Sequence, residues 1–161
     1  MPVNPLPLVA RPLRPTPMDS CPVHALRKRL RAANLRPTRQ RVALGWLLFA
    51  KGNRHVTAEM IFDEAKAVRA PVSMATIYNT LNQFTQAGLL REIAVEGSKT
   101  YFDTNPSPHA HFLLEDTGAL LDVPAIDLKG VDLPRPPTGY EIARVELVIR
   151  VRPTRRTSAS E

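Results

Sequence analysis

Four segments between residues 25 and 87 carry the apolar spacing of helices. The second, "RQRVALGWLLFA", is apolar almost all round beyond Arg41, so it is predicted to be a buried central helix. The first, "ALRKRLRAA", is short, and the third, "AEMIFDEAKAVR", is amphipathic. In the fourth, apolar residues recur every three or four positions, at Ile77, Leu81 and Phe84.

The boundaries of these helices have their own signals. Pro37 ends the first helical region, and Thr38, Thr57 and Ser73 are predicted N-caps of the next three helices. Gly88 follows the fourth helix, where a left-handed C-terminal cap favours glycine. "LLREIAV" and "KTYFD" then predict two strands around a turn at Gly97. Helices followed by such a hairpin predict a winged helix-turn-helix.

The composition changes after Asp103. "HAHFLLED", "ALLDVPAI" and the alternating "YEIARVELVIRV" predict strands of a small second unit. About 50 residues bury little apolar surface alone, so an exposed strand face favours dimerisation. The alternative is a hairpin that packs on the first domain. The chain is therefore predicted to be α+β, with an N-terminal winged helix-turn-helix DNA-binding domain and a small C-terminal α+β dimerisation domain. The predicted divisions are a disordered proline-rich arm (1–19), the DNA-binding domain (20–104), the dimerisation and effector domain (105–152) and a basic tail (153–161).

Charge and composition narrow the class of protein. The 161-residue chain has a net charge of +7 and an isoelectric point near 10.2, and residues 21–58 contain nine Lys or Arg and no acid. Acid-free basic stretches favour contact with phosphate. The single cysteine excludes a disulfide framework. With neither a membrane-length apolar run nor a signal-peptide pattern, the sequence predicts a cytoplasmic protein without a membrane partner.

The fourth helix presents the chemistry of a DNA reader. Asn79 and Asn82 are predicted on its polar face, and a carboxamide pairs with adenine in the major groove. Ser73 and Thr76 at its start suit phosphate contact, and Tyr78 is placed to touch a thymine methyl. Three basic residues are further candidates for contact with the DNA backbone, namely Arg39, Arg41 and Lys99. The alternative is a polar helix that simply faces solvent.

Three segments together resemble the ferric uptake regulator superfamily, and most closely its iron response regulator branch. They are "LRPTRQRVALGWLLFAKGNRHVTAEMIFDEA", "VSMATIYNTLNQFTQAGLLREIAVEGSKTYFDTN" and "HAHF". The resemblance implies a homodimeric, iron-responsive transcription regulator whose fourth helix reads a double-stranded operator. In that family the tyrosine matching Tyr78 touches bases, and Arg commonly follows it. Asn79 stands there instead, which implies a different operator.

The resemblance also implies a divalent-metal site between the domains. Its matching residues are His55, Asp103, His109 and His111, a ligand set that suits Fe(II), Mn(II) or Zn(II). On a strand, His109 and His111 would face the same side, although a His-x-His pair is also common on surfaces. The family's structural zinc is expected to be absent, because Leu114 and Thr117 replace the first pair of cysteines.

Cys21 and His24 are the candidate haem ligands. A thiolate is a good axial ligand for ferric haem, and Pro22 removes one amide N–H and fixes the backbone. The iron response branch often carries a Cys-Pro haem motif at this place, before the first helix. The alternative is a solvent-facing thiol without a ligand.

The predicted function is an iron-responsive transcription regulator, mainly a repressor, modulated by haem, a divalent metal or both, and not an enzyme. A peroxide- or redox-sensing regulator of the same superfamily is the alternative. A small metalloenzyme built on His109, His111 and Asp103 is the remote one, because the sequence shows no nucleophile–base motif.

Overall fold

A computed structural model describes residues 21–95, 99–123 and 132–154. The predicted N-terminal arm (1–19), the hairpin turn at Gly97 and the tail from residue 155 onward lie outside these ranges.

The described residues form four helices and six strands, which confirms the α+β class. In chain order they are α1 Pro22–Ala32, α2 Arg39–Phe49, β1 His55–Val56, α3 Ala58–Ala67, α4 Met74–Gln86, β2 Arg91–Ala94, β3 Thr100–Asp103, β4 His111–Leu114, β5 Leu120–Asp122 and β6 Val148–Val151. No helix in the described ranges is long and apolar enough to cross a membrane.

The predicted N-caps are confirmed. The side chains of Thr38, Thr57 and Ser73 each accept a hydrogen bond from the amide N–H three residues later, which satisfies one free donor of the following helix. Gly88 has a φ of +71°, and the amide of Leu89 donates to the carbonyl of Phe84 at 2.8 Å, as in a Schellman C-cap. Helix α1 begins three residues earlier than predicted, because Pro22 at its first position already has a helical φ.

The first core joins α1 to α4 and includes the buried side chains Leu30, Leu44, Leu48, Ile61, Ile77, Leu81 and Phe84. Helix α2 lies between α1 and the other helices, as its apolar sequence predicts. It is not buried on every side, however, because Trp46 is 43% exposed beside α1.

The first sheet has the strand order β1-β3-β2, and all its pairings are antiparallel. Strands β2 and β3 are the predicted hairpin of the wing. Strand β1 consists of only His55 and Val56, a segment for which no strand was predicted. It exists because these residues pair with Asp103 and Phe102 of β3, a long-range contact that local spacing does not indicate.

The second sheet has the order β5-β4-β6, with β4 antiparallel to β5 and parallel to β6. The prediction of one long strand over residues 140–151 is wrong, because only Val148–Val151 is a strand. Strand β6 pairs with all four residues of β4 and gains no further ladder partner beyond them. Ile142 and Val145, predicted on the strand face, are 45% and 41% exposed.

The two sheets share a second, smaller core. Ile93 and Tyr101 of the first sheet pack with Leu113 and Leu120 of the second. The hydroxyl of Tyr101 also donates to the carbonyl of Gly118 in the turn between β4 and β5. The second sheet therefore buries apolar surface against the wing. By itself, this small unit was expected to bury little.

The cap at Ser73 generates a stability prediction for α4. Ser73→Ala removes the acceptor that the amide of Thr76 uses at 3.1 Å, so the free energy of unfolding should fall by about 1 kcal/mol. Ser73→Asn keeps an acceptor and should restore most of this loss. Denaturant unfolding of the three proteins measures the difference, and equal stability of the Ala and Asn variants would contradict the assigned cap.

Candidate metal centre and reading helix

Five side chains from the two sheets converge on one point: His55, Asp103, His109, His111 and Asp122. One nitrogen or oxygen atom of each lies within 4.8 Å of the others. Four of the five are the residues predicted from the family resemblance, and all four are brought together. The fifth, Asp122, was not predicted.

Cross-strand pairing explains why these side chains meet. His55 of β1 lies directly opposite Asp103 of β3, and His111 of β4 lies directly opposite Asp122 of β5. Directly opposed residues of an antiparallel pair hold their Cβ atoms about 5 Å apart, close enough for side chains to share a ligand. His109 lies just before β4 and reaches the same point from the connecting segment.

The distances suit the coordination of one ion. Asp103 Oδ2 lies 3.0 Å from His109 Nε2, 3.3 Å from His111 Nε2 and 3.6 Å from His55 Nε2. Asp122 Oδ1 lies 3.0 Å from His55 Nε2 and 3.1 Å from His109 Nε2. Two ligand atoms at right angles, each about 2.1 Å from an ion, are themselves about 3.0 Å apart. Three imidazoles and two carboxylates are also the donor set that Fe(II), Mn(II) and Zn(II) accept.

Two of the imidazoles have a ring nitrogen that is free to bind a metal ion. His109 Nδ1 lies 2.7 Å from the carbonyl oxygen of Ser107, which can only accept, so Nδ1 carries the proton and Nε2 keeps its lone pair. His55 Nε2 is buried and makes no hydrogen bond of acceptable geometry, although Asp122 is close. A buried nitrogen without a partner is costly, and a metal ion at the shared point would satisfy it.

The electrostatics of the cluster favour the ligand forms of Asp103 and His111, but not that of His55. Burial opposes the charge of Asp103, but the neighbouring His55 and the amide N–H of Asn105 hold the pKa of this carboxyl below its ordinary value. Burial lowers the pKa of His111, and the nearby His109 and His55 add to this effect against the opposing Asp103. Burial also works against the charged form of His55, but the two carboxylates raise its pKa overall. Asp103 is thus kept ionised, and His111 is kept neutral.

Arg91 supports the segment that carries His109. Its position on β2 is directly opposite Asp103, and its guanidinium is almost fully buried. Nη1 donates to the carbonyls of Ser107 and His109 at 3.4 and 3.3 Å, and Nη2 lies 3.5 Å from a carboxylate oxygen of Glu146. The sequence offers "GLLRE" here without indicating this role, because all three partners are distant in the chain.

Asp122 had a signal in the sequence. It is the one acid inside the run "ALLDVPAI", which was predicted to be a strand next to "HAHFLLED". An acid in an apolar strand is unusual unless it has a partner. Only the register, which places Asp122 opposite His111, identifies that partner.

Cys21 and His24 are not part of the cluster. Cys21 is exposed at the N-cap of α1, with no hydrogen bond from its side chain to the helix. His24 lies in the first turn of the same helix and is partly buried. Their predicted role as haem ligands remains a prediction.

Helix α4 buries one face and exposes the other as the sequence predicts. Ile77, Leu81 and Phe84 are buried, whereas Tyr78, Asn79 and Asn82 are exposed. Ser73 and Thr76 lie at its start, with their hydroxyl oxygens 2.9 Å apart. The polar face is therefore available to a partner.

The three basic residues predicted to contact the DNA backbone differ in their exposure and in the hydrogen bonds that they make. Arg39 and Lys99 are exposed. Arg41 is already held within the chain, because its Nε and Nη2 donate to Gln83 Oε1 at 3.1 and 2.9 Å and its Nη1 donates to the carbonyl of Arg36. Arg41 thus ties the start of α2 to α4, a role that the sequence did not predict.

Comparison with known proteins identifies the class that this fold and cluster define. Residues 32–150 match the ferric uptake regulator family, and the chain belongs to that family. It is 34% identical over 93 residues to the peroxide-responsive repressor PerR of Staphylococcus aureus strain Mu50. That match covers 58% of this chain and 62% of the relative, so the chain spans less than two thirds of the length of such curated relatives.

Two solved structures share the fold. The ferric uptake regulator of Pseudomonas aeruginosa with manganese has a TM-score of 0.61 and 25% identity, covering 80% of this chain and 97% of that protein. The ferric uptake regulator of Vibrio cholerae has a TM-score of 0.60 and 22% identity, covering 78% and 98%. The comparisons establish the family but do not distinguish the iron response branch within it.

The assignment of Asp122 as a ligand generates a prediction. Asp122→Asn removes one of the two charged oxygen donors, so the affinity for Mn(II) should fall at least about tenfold, the scale seen when even supporting residues of a metal site are lost. Calorimetric titration with Mn(II) measures this. Asp63→Asn, an exposed change on α3, is the matched control and should bind as the wild type does. An unaltered affinity of the Asp122 variant would remove this residue from the site.

Proposed function

We propose that the chain is a cytoplasmic, iron-responsive transcription regulator, mainly a repressor, which binds operator DNA as a homodimer and uses a divalent metal as its effector. The observation that carries this proposal is that the candidate metal ligands come from both sheets. His55 and Asp103 belong to the sheet of the wing, and His109, His111 and Asp122 belong to β4, β5 and their connection. Bound metal would join the two units at this point.

A short path connects the cluster to the reading helix. His55 lies two residues before Thr57, the N-cap of α3, and α3 packs against α4. Fixing His55 therefore fixes the start of the helix on which α4 rests. Loss of metal would free this joint, and the orientation of α4 relative to a second copy of the chain would no longer be defined.

The surface of α4 supports the choice of DNA as the partner. Asn79 and Asn82 present carboxamides to solvent, and Tyr78 is 41% exposed beside them. A carboxamide pairs with the N6 and N7 edge of adenine, whereas phosphates attract cations such as Arg39 and Lys99. The operator of this chain should accordingly carry adenine where Asn79 meets the major groove.

Exposed apolar side chains in residues 132–147 support dimerisation. They are Leu133, Tyr140, Ile142 and Val145, with exposures between 41% and 75%. Large apolar side chains that are exposed within one short segment favour burial against a partner. A second copy of this chain is the partner that the predicted C-terminal domain would use.

The relatives named PerR support a second candidate within the same class, a regulator that responds to peroxide. Loss of DNA binding after peroxide treatment of the Fe(II)-loaded protein, without any response to haem, would favour this candidate. A metalloenzyme is not proposed, because the matched family is one of regulators.

A groove next to Cys21 supports haem as an additional effector. It lies between α1 and α2, has a volume of about 250 Å³, and is lined mainly by apolar side chains that include Leu26, Trp46 and Phe49. Pro22, the residue after Cys21, forms part of its wall. The guanidinium of Arg29 lies 3.9 Å from the centre of the Phe49 ring, at a position where it could meet a carboxylate such as a haem propionate. The groove is smaller than a haem, so it would cover only part of such a ligand, and its apolar wall and cationic side chain suit that part.

Metal-dependent DNA binding tests the main proposal. Duplexes selected from a random pool by the Mn(II)-loaded wild type should bind more weakly after the metal is removed by a chelator. Asn79→Ala should lower the affinity for the selected duplex by about 1–3 kcal/mol and relax the base preference at one position. Asn53→Ala, an exposed change in the loop after α2, should have no effect. An affinity of the Asn79 variant for the selected duplex equal to that of the wild type, or binding unaffected by metal, would argue against the proposal.

Titration with ferric haem tests the second effector. Haem bound through Cys21 should shift the Soret band and quench the fluorescence of Trp46, the single tryptophan of the chain, which lines the groove. Cys21→Ala should abolish the Soret shift, and His24→Ala shows whether the histidine is a second ligand. A Soret spectrum of the cysteine variant that matches the wild type would exclude Cys21.

A further inference from the structure

An acid of α3, Glu59, meets the exposed face of α4, a helix without an acid of its own. Residues 21–58 and 73–91 contain no Asp or Glu, yet the fold brings Glu59 of α3 to the exposed face of α4. The hydroxyl of Tyr78 donates to Glu59 Oε1 at 2.9 Å, and both residues are exposed. The contact joins residues 19 positions apart in the chain, so the sequence does not indicate it.

Neighbouring groups favour the charged form of Glu59. Its own amide N–H and the hydroxyl of Thr57 stabilise the charge most, then Tyr78 and the nearby Lys99, and together they hold the pKa of Glu59 below its ordinary value. Glu59 also lies in the first turn of α3, where the helix dipole favours an anion. Glu59 is thus an ionised acceptor for the Tyr78 hydroxyl.

Tyr78 gains a defined orientation from this acceptor. An exposed tyrosine ring ordinarily samples several rotamers, and ordering it costs conformational entropy when a partner binds. The hydrogen bond to Glu59 fixes the direction of the ring beforehand and raises the pKa of the Tyr78 hydroxyl. A ring that is already oriented binds with a smaller entropic cost.

We propose that Glu59 is a positioning residue of the DNA interface, which holds the Tyr78 ring in the orientation that contacts a base and whose negative charge limits the affinity for any DNA backbone. The inference rests on the proposed DNA-binding function and assigns to it a residue outside α4. The two effects have opposite signs: orientation favours the correct sequence, whereas charge repels the phosphates of every sequence. Glu59 therefore increases selectivity at the cost of total affinity.

Two substitutions separate the effects. Glu59→Gln keeps an oxygen that accepts from Tyr78 and removes the charge, and Glu59→Ala removes both. The full chain loaded with Mn(II) is titrated with a duplex that the wild type selects from a random pool and with a scrambled duplex. We expect Glu59→Ala to lower the ratio of the two affinities by about three- to tenfold, the effect of one lost hydrogen bond. Glu59→Gln should keep the wild-type ratio and bind both duplexes about threefold more tightly at low salt, a gain that salt abolishes.

A double-mutant cycle shows whether Glu59 acts through Tyr78. Tyr78→Phe should lower the affinity ratio as Glu59→Ala does, and the double variant should lose no more than either single variant. Asp63→Ala, another exposed acid of α3, is the matched control and should leave the ratio unchanged. Thermal unfolding of each variant identifies any loss of folded protein.

The outcomes distinguish this inference from the function on which it rests. If the wild-type protein binds the selected and the scrambled duplex equally well, both the proposed function and the role of Glu59 are overturned. A wild type that prefers the selected duplex, with an unaltered ratio in Glu59→Ala or independent losses in the cycle, overturns the role of Glu59 alone. A lower ratio in Glu59→Gln equal to that of Glu59→Ala would also overturn it, because the acceptor would then be irrelevant.

Discussion

The buried carboxylate of Asp103 is the constraint around which the two sheets are arranged. A buried charge is tolerated only where other groups compensate it, and Asp103 is fully buried at the end of the middle strand of the wing. Its neighbours on the sheet are His55 and Arg91, and His109 and His111 approach it from the other unit. The same carboxylate therefore contributes both to the joint between the units and to the donor set of the candidate metal site.

Local signals in the sequence predicted what local interactions determine. The caps at Thr38, Thr57 and Ser73 and the buried face of α4 depend on residues within one or two helical turns. These features were predicted and are observed. Helix-forming patterns are reliable for the same reason, since each hydrogen bond and each apolar contact along a helix joins neighbours in sequence.

The features that the sequence missed depend on distant partners. Strand β1 exists through β3, Asp122 joins the candidate metal cluster through its register with His111, and Arg41 is held by Gln83. The length of β6 follows from the four residues of β4 and not from the alternating pattern of residues 140–151. Four of the five cluster residues came from the family resemblance, because spacing alone does not show that separate strands bring them together.

The two proposed effector sites converge on the same helix through different neighbours. The metal cluster reaches α4 through the start of α3, whereas the groove beside Cys21 borders α2, which also packs against α4. Each site thus lies one packed helix away from the reading surface, and neither has to contact DNA. Such an arrangement allows two effectors to act on one surface without competing for a single binding site.

The parallel pairing of β4 with β6 has a consequence for how the protein is made. Residues 115–147 lie between these two strands, whereas the four helices contact neighbours that are close in sequence. Closing a long loop costs entropy before its contacts form, so long-range pairing is slow. The helical unit should therefore fold first on the ribosome, and the second sheet is completed only after β6 has emerged. During synthesis, the residues proposed to bind DNA would be in place before the proposed effector site.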